Sequence, residues 1–387
     1  VIGIPTLKLH GHYLVMATLG FNLIANIIII QWDVVTGGPS GFPGIPNLSI
    51  GQWALDTDRR MYYFIWLMVF LAIVLALNLV NSRAGRGLRA LHGSEVAAAS
   101  LGVKTKRYKV KIFVLSAVYA SFAGSVYAHY LTFISPKTFD IFFSVELVTM
   151  VIVGGMGSIW GVLFGTIFLT SLPNVLHLFD EYKDIFYGLI LVVILIFLPE
   201  GVVVAIRRHW LTRRRAQEAG GAVELAGERR PSGTAVELFR PLSVKPAARA
   251  TTLREPILRV NNVSIRFGGL MALVQVSFEV PRGEVTSLIG PNGAGKTTMI
   301  NVISGTYKPQ SGEIFFEGGE ITNQPPYRMA EMGLTRTFQN IQVFENMTVL
   351  ENVMVGLHAQ TGNEFVHSMF HLPGFRSEEN RIEQRAW

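Results

Sequence analysis

The sequence predicts a polytopic α-helical membrane domain followed by a smaller α/β domain with a glycine-rich loop. Half of the 387 residues are hydrophobic, and the long uncharged runs all lie before residue 207. So apolar a composition is typical of membrane proteins rather than soluble ones. The glycine-rich loop comes later, between a strand-like and a helix-like pattern. We therefore divide the chain into a membrane domain at 1–206, a linker at 207–256 and an α/β domain at 257–387.

Five apolar stretches are long enough to be membrane helices, because a bilayer core requires about 20 residues. They are residues 13–31, 62–80, 112–134, 144–171 and 182–198. Residues 83–111 contain eight Lys and Arg, and further Arg residues lie at 207–215. Positive flanks lie on the cytoplasmic side of membrane spans, so both segments are predicted to be cytoplasmic.

The fourth stretch is expected to be broken, because three full crossings cannot join two cytoplasmic flanks. Its centre contains Gly154, Gly155, Gly157 and Ser158, which makes a poor helix interior. Two half-helices that meet there and share the external face restore an even number of crossings. The break would lie near the membrane midplane, where the N–H groups of the second half-helix suit a carboxylate. A glycine-kinked span packed on a neighbour is the alternative.

Two polar features within the spans have two interpretations each. Thr18, Asn22 and Asn26 form a polar stripe on the first span, which is explained by interhelical hydrogen bonds or by a substrate-facing role. Glu146, near the outer end of the fourth stretch, is either functional or reaches water at the interface.

The segment 207–256 is predicted to be a flexible basic linker. It contains eleven Lys and Arg against five Glu, which supplies nearly all of the net charge of +7. Because this charge directly follows a membrane span, it indicates contact with membrane lipid and not with nucleic acid. The chain begins with Val1 and contains no cysteine. We expect it to be truncated at both ends, and disulfides and thiolate chemistry are excluded.

The glycine-rich loop predicts a nucleotide site. Residues 285–289 read as a short buried strand, and a helical pattern begins at Met299. Between them, the sequence GPNGAGKTT is a P-loop in strand–loop–helix context, whose backbone N–H groups surround phosphates. Lys296 would contact the β- and γ-phosphates, and the Thr297 hydroxyl would hold Mg²⁺. The predicted nucleotide-binding residues in the loop are Gly290, Asn292, Gly293, Gly295, Lys296, Thr297 and Thr298.

The sequence of this loop resembles that of the ATP-binding cassette (ABC) proteins. The resemblance implies that the second domain is part of an α/β P-loop NTPase. The resemblance implies that Phe267 stacks on adenine, although an ordinary strand aromatic is the alternative. It also implies that Gln339, in TRTFQN, is a Q-loop glutamine that contacts Mg²⁺ and the attacking water. Lys296 and Gln339 are then the catalytic candidates, with ATP and Mg²⁺ as cofactors.

Longer segments resemble one family of importers. RTFQN and VFENMTVLENV resemble the LivG-type ATPases of branched-chain amino acid importers. GHYLVMATLGF, TGGPSG, ELVTMVIVGGMGS and FLPEG resemble their LivM-type permeases. The chain thus looks like a LivM-type permease fused to the N-terminal part of a LivG-type subunit. The candidate substrate-pathway residues are Asn22, Glu146, Gly154, Gly155, Gly157 and Ser158.

The segment 95–102 resembles the coupling segment through which importer permeases dock on their ATPase. Glu95, Ala98 and Gly102 carry the likeness, although the usual spacing from Glu to Gly is six residues and here it is seven. An ordinary surface turn is the alternative.

The resemblance implies ATP-driven import of amino acids across the bacterial inner membrane, with the ATP-binding domain in the cytoplasm. Expected partners are a second permease subunit, a second ATP-binding subunit and a periplasmic substrate-binding protein. No Leu-Ser-Gly-Gly-type signature, acidic Walker B strand or switch histidine follows Gln339 in the sequence, so we expect no turnover by residues 257–387 alone. Alternatives are an importer of urea or short amides, an ABC exporter, and a membrane-anchored P-loop NTPase without a transport role.

Overall fold

A computed structural model describes residues 12–51, 53–176, 183–198, 201–206, 210, 255–340, 342–360 and 365–387. The chain divides into two compact units. The membrane unit contains Lys8–Ile73 and Ala120–Lys245, and the P-loop unit contains Val74–Tyr119 and Pro246–Trp387. Most of the predicted linker lies outside the described residues, so its flexibility remains a prediction.

The predicted apolar stretches all contain helices. These are α1 (His12–Gln31), α3 (Asp58–Val80), α6 (Thr105–Leu131), α7 (Ile141–Gly154), α8 (Ile159–Leu176) and α9 (Lys183–Phe197). A short helix outside these stretches, α2 (Asp33–Thr36), follows α1. Among the described residues, α3, α6 and α8 are long and apolar enough to cross a membrane. A fourth candidate joins Met16–Gln31 to Asp33–Ser40 across a bend of 84°.

Short extended segments connect these helices. β1 (Phe42–Pro43) pairs antiparallel with β4 (Phe133–Ile134), and β2 (Ser49–Ile50) pairs with β3 (Trp53–Ala54).

The predicted break in the fourth stretch is confirmed, because α7 ends at Gly154 and α8 begins at Ile159. Gly155 and Gly157 have φ angles of 114° and 88°, a region that side-chain-bearing residues rarely adopt. Glycine therefore permits the chain to leave the helix here and reverse.

α7 and α8 form an antiparallel hairpin whose backbones touch. A Cβ atom on Gly165 would lie 2.1 Å from the Met150 carbonyl oxygen, and one on Gly154 would lie 2.0 Å from the Gly161 carbonyl oxygen. Small residues allow this approach between helices. Farther along the hairpin, a buried cluster fills the space between the helices. Its members are Met150, Val153, Leu169, Leu172 and Leu176.

The P-loop unit contains one four-stranded antiparallel sheet with the strand order β6-β5-β7-β8. Its strands are β5 (Pro256–Phe267), β6 (Leu270–Pro281), β7 (Ser311–Phe316) and β8 (Gly319–Glu320). Its helices are α4 (Arg83–Gly93), α5 (Glu95–Ser100), α10 (Lys296–Ile303), α11 (Pro326–Glu331), α12 (Val349–Gly356), α13 (Phe365–Phe370) and α14 (Phe375–Ala386). Met299 and Val302 of α10 are buried together with Val260, Val263 and Ile314 of the sheet.

The strand predicted at residues 285–289 is wrong, since these residues form no strand. Val285 is 97% exposed and Ile289 is 89% exposed. An apolar strand of this kind is buried on both faces only between neighbouring strands, and the described sheet offers it none. The helix that follows the loop is confirmed as α10.

A second core in the P-loop unit joins the loop between α3 and α6 to the helices that follow residue 340. Its members from the loop side are Leu79, Ala84, Ala90, Ala97, Ala98, Val103 and Tyr108, and those from the other side are Phe344, Val355 and Phe365. The loop predicted to be cytoplasmic thus folds as part of the same unit as the P-loop.

Candidate nucleotide-binding and coupling site

The P-loop turns at two glycines whose backbone conformation other residues rarely adopt. Gly293 and Gly295 have φ angles of 86° and 83°, so glycine is needed at both positions. A Cβ on Gly295 would also lie 2.7 Å from the Ala272 carbonyl oxygen of β6, so the loop backbone passes close to the sheet at this point. No side chain caps the N-terminus of α10, so its first N–H groups can face an anion.

Lys296 opens α10 directly after the loop and folds back on it. Its Nζ donates hydrogen bonds of 2.7 Å to the Gly290 carbonyl and 2.6 Å to the Pro291 carbonyl. Thr297 and Asn292 are exposed, and Thr298 is half-buried. An ammonium held by neutral carbonyls can be drawn to an anionic phosphate, and the Thr297 hydroxyl suits a hard cation such as Mg²⁺.

Phe267 ends β5 opposite Leu270 of β6 and is 44% exposed. Its ring stands edge-on to Tyr307, which follows α10, with ring centroids 5.1 Å apart. Two residues beyond Leu270, Ala272 contacts Gly295. Phe267 therefore presents a partly open aromatic ring on the hairpin that supports the P-loop.

Gln339 is exposed in a bend that precedes Phe344, a member of the second core of the P-loop unit. Arg336 donates a hydrogen bond to Asn301 of α10, and its guanidinium lies 5.1 Å from the centre of the Phe338 ring. Phe338 packs against the core that contains Ala98. Contacts thus lead from α10, through Arg336 and Phe338 beside Gln339, to the loop between α3 and α6.

The predicted coupling residues lie on this loop. Ala98 of α5 is fully buried, and Gly102 has a φ angle of 91°; a Cβ on it would lie 2.7 Å from the Ala359 side chain. Glu95 instead pairs with Lys109 of its own loop at 2.6 Å. Ala98 and Gly102 therefore make the close approach, while Glu95 holds the loop in shape.

Among the described residues, ion pairs cross between the loop and the rest of the P-loop unit. They are Arg86–Glu379 at 2.7 Å, Arg89–Glu351 at 2.6 Å and Lys104–Glu331 at 2.8 Å. Burial alone would raise the pKa of Glu351, but hydrogen bonds from Arg89 and Thr348 lower it overall. In the same way, the pKa of Glu331 is raised by burial and lowered overall by Lys104 and Arg328.

A buried histidine lies between these pairs. His358 Nε2 is 3.1 Å from Tyr108 Oη, and the His358 carbonyl accepts a hydrogen bond of 2.8 Å from Arg83. Burial and the nearby positive charges of Arg83, Arg86 and Lys104 lower the pKa of His358 to about 3. The imidazole is therefore neutral at physiological pH.

The membrane candidates lie on α1, on α7 and at the tip of the α7–α8 hairpin. Asn22 donates a 2.9 Å hydrogen bond to Ser144 at the start of α7, which agrees with the interhelical interpretation of the polar stripe. Glu146 is exposed on α7. At the tip, Ser158 Oγ accepts the Gly161 N–H at 3.1 Å, so one of the expected free donors is already used.

The tip of the hairpin also contacts the end of the FLPEG segment. A Cβ on Gly201 would lie 2.1 Å from the Cα of Gly155. Gly154 and Gly155 are buried, whereas Gly157 is exposed.

Sequence reasoning missed the residues that hold the loop in place, among them Arg86, Glu351, His358 and Glu379. The signal was present as opposite charge, because the loop is basic and its partners are glutamates. Charge sign alone, however, does not reveal which residues pair across nearly three hundred positions.

Taken together, the fold and the site define a membrane permease domain joined to an ABC transporter domain. Residues 273–386 match the family described as ABC transporter. Residues 1–195 match the family described as branched-chain amino acid transport system / permease component, and the chain belongs to this family.

Individual relatives agree with both assignments. The ATP-binding protein BraF of Pseudomonas aeruginosa is 41% identical over 134 residues, which cover 35% of this chain and 52% of BraF. The permease LivM of Escherichia coli is 32% identical over 227 residues, which cover 52% of this chain and 53% of LivM. The chain thus spans about half the length of the curated relatives it matches.

Among solved structures, a nucleotide-free ATP-binding cassette from an ABC transporter is 42% identical, with a TM-score of 0.27. The match covers 33% of this chain and 50% of that structure.

Proposed function

We propose that this chain imports branched-chain amino acids across the bacterial inner membrane, driven by ATP bound at its P-loop. One observation carries the proposal: the loop between two membrane helices shares a hydrophobic core with helices of the nucleotide domain. A P-loop enzyme that is merely anchored to a membrane has no need for such a core. The names of the relatives BraF and LivM supply the substrate class.

Nucleotide binding is assigned to the P-loop, with Lys296 on the phosphates and Thr297 on Mg²⁺. Phe267 would stack on the adenine, as its partly open ring on the supporting hairpin suggests. Gln339 would complete the Mg²⁺ site and orient the attacking water. Its position beside Arg336 and Phe338 supports a second role, in which it senses the nucleotide and moves the core that contains Ala98.

The loop 83–111 would transmit this movement to the membrane. Ala98 and Gly102 provide the close contact, in agreement with the coupling segment expected at residues 95–102. Because the P-loop unit includes Val74–Tyr119, the ends of α3 and α6 belong to the same compact body as the nucleotide site.

The substrate pathway is assigned to the α7–α8 hairpin and its surroundings. Gly201 lies shortly before the basic residues that predict the cytoplasmic side, and it touches Gly155. This contact supports a tip nearer the cytoplasmic face than the midplane expected from the sequence. α7 has 14 residues and a length of about 21 Å, which also suits a deep hairpin. Exposed Glu146 would face a water-lined path or a partner subunit, because a carboxylate in lipid is costly.

Further subunits would take part in transport. A second permease subunit, a second ATP-binding subunit and a periplasmic substrate-binding protein would complete the transporter, with lipid around the membrane helices. The domain boundaries at 206 and 256 belong to this proposal, as does the cytoplasmic position of the P-loop.

The test is uptake of radiolabelled leucine, isoleucine and valine by cells that express the complete gene cluster. Lys296→Ala should abolish ATP-dependent uptake, whereas Lys308→Ala, an exposed lysine outside the loop, should not change it. Uptake of urea but not leucine would refute the amino acid assignment, and leucine uptake by the Lys296→Ala variant would refute the ATP-driven mechanism.

A further inference from the structure

We propose that Arg86–Glu379, Arg89–Glu351 and Tyr108–His358 form a docking interface that selects this chain's own P-loop domain as the partner of its membrane loop. The proposal deepens the coupling role above and rests on it for its biological meaning. None of these six residues belongs to the expected coupling set of Glu95, Ala98 and Gly102. The partner is defined by its chemistry: an acidic helical surface with one neutral histidine.

The centre of the interface is the pair Arg86–Glu379. The Arg86 residue is only 6% exposed, and Glu379 uses both carboxylate oxygens across the interface. One oxygen accepts from the Arg86 guanidinium at 2.7 Å, and the other accepts the Arg83 backbone N–H at 2.8 Å. Removing one member would leave a charge buried without its partner, which is strongly unfavourable. A buried pair of this kind adds little net stability when it is intact, but a mismatch at either position is costly.

The second ion pair, Arg89–Glu351, adds a further contact that a mismatched partner would lack. Arg89 donates at 2.6 Å to one oxygen of Glu351, and the other oxygen accepts the Thr348 backbone N–H in a capping box at the start of α12. The carboxylate that binds the loop is therefore fixed by its own helix before docking. A pre-organised acceptor loses little freedom on binding, which favours the matched arginine.

The charges on the two sides are complementary throughout. The loop contributes Arg83, Arg86, Arg89 and Lys104, and the other side contributes Glu331, Glu351 and Glu379. A partner with basic residues at these positions would meet like charges at short distance, and such contacts reject wrong partners.

Tyr108 and His358 complete the interface without charge. Their polar atoms are 3.1 Å apart, and the Tyr108 ring also stands edge-on to Phe365, with centroids 4.9 Å apart. A basic residue in place of the neutral imidazole would face Arg83 and Arg86. The aromatic contact thus admits only an uncharged partner between the ion pairs.

The occupant is the domain at the other end of the same chain. The linker at 207–256 connects the two parts, and its fifty residues, if flexible, reach roughly 40 Å. Linkage raises the local concentration of the partner and hides weak docking, so the test must cut the linker.

The experiment uses the full-length protein with a protease site inserted within residues 220–245. After purification in detergent and cleavage, the dissociation constant between the two products is measured without nucleotide or amino acid. Arg86→Glu and Glu379→Arg should each weaken it by at least roughly a hundredfold, and the double variant should recover to within roughly tenfold of the wild type. Arg282→Glu is the control, because its pair with Glu317 is half-exposed and lies outside the interface.

Unchanged affinity in both single variants would overturn the proposal, as would a double variant no tighter than the single ones. If Arg86→Glu fails to accumulate, Arg89→Glu is the same test on the more exposed pair. It should weaken binding roughly tenfold, and no weakening counts against the interface. Because the measurement needs no transport, loss of uptake with intact docking would refute the proposed function and leave this interface standing.

Discussion

His358 should make the attachment of the P-loop domain sensitive to mild acid. The imidazole is buried against Tyr108, with Arg83 and Arg86 of α4 and Lys104 nearby, and Glu379 is occupied by Arg86. These surroundings lower its pKa from 6.5 to about 3. Separation of the loop would remove the three positive charges and open the ring to water. The separated state therefore binds a proton more readily than the docked state.

The sign and size of the effect follow from linkage. A histidine with a depressed pKa contributes no penalty above its ordinary pKa of 6.5, and docking is weakened as the pH falls from 6.5 towards 3. The loss is about 1.4 kcal/mol for each pH unit below 6.5, which amounts to about 2 kcal/mol at pH 5. Glu331 and Glu351 have lowered pKa values in the docked state, so both stay ionised there at pH 5.

The assay is the dissociation constant of the linker-cleaved protein between pH 7.5 and pH 5. The wild type should weaken roughly thirtyfold over this range. His358→Gln, which cannot titrate but can still hydrogen bond to Tyr108, should change less than threefold. A flat profile in the wild type, or equal slopes in both proteins, would refute the reasoning.

Three further variants test the hairpin, the P-loop and a helix cap. Gly165→Val should lower the melting temperature of the detergent-solubilised protein by several degrees or prevent its accumulation, because its Cβ would meet the Met150 carbonyl at 2.1 Å; Gly188→Val, with open space around it, should be neutral. Lys296→Ala should weaken binding of a fluorescent ATP analogue at least tenfold, and unchanged binding would contradict the phosphate role. Thr348→Ala breaks the capping box and should cost about 1 kcal/mol in chemical unfolding of the P-loop unit, while no change would show the cap to be dispensable.

Much of the membrane unit could be predicted because its signals are local. A helix of spanning length needs only an apolar run, and the break at Gly154–Ser158 needs only residues that cannot continue a helix.

In the P-loop unit, the capping box at Thr348–Glu351 is also visible in the sequence, because its two residues have the usual spacing. Only the structure indicates that Glu351 also binds Arg89.

The errors and omissions arise where a residue depends on distant parts of the chain. Residues 285–289 have the composition of a buried strand, but a strand also requires neighbours that pair with it. Arg86 and Glu379 each look like ordinary surface charges in the sequence, and only the fold brings them together. The contact of Gly201 with Gly155 likewise joins distant parts of the chain, and no local pattern reveals it.

The contact of Gly201 with Gly155 has a consequence for the order of biosynthesis. The hairpin tip leaves the ribosome long before Gly201, with the whole of α8 and α9 between them. Until residue 201 has been synthesised, the backbone at the tip lacks this neighbour. A nascent chain that ends before residue 201 should therefore hold an unfinished hairpin, which membrane proteases can recognise. Pulse-chase experiments on chains released before and after this residue would reveal the point at which the membrane half becomes resistant to degradation.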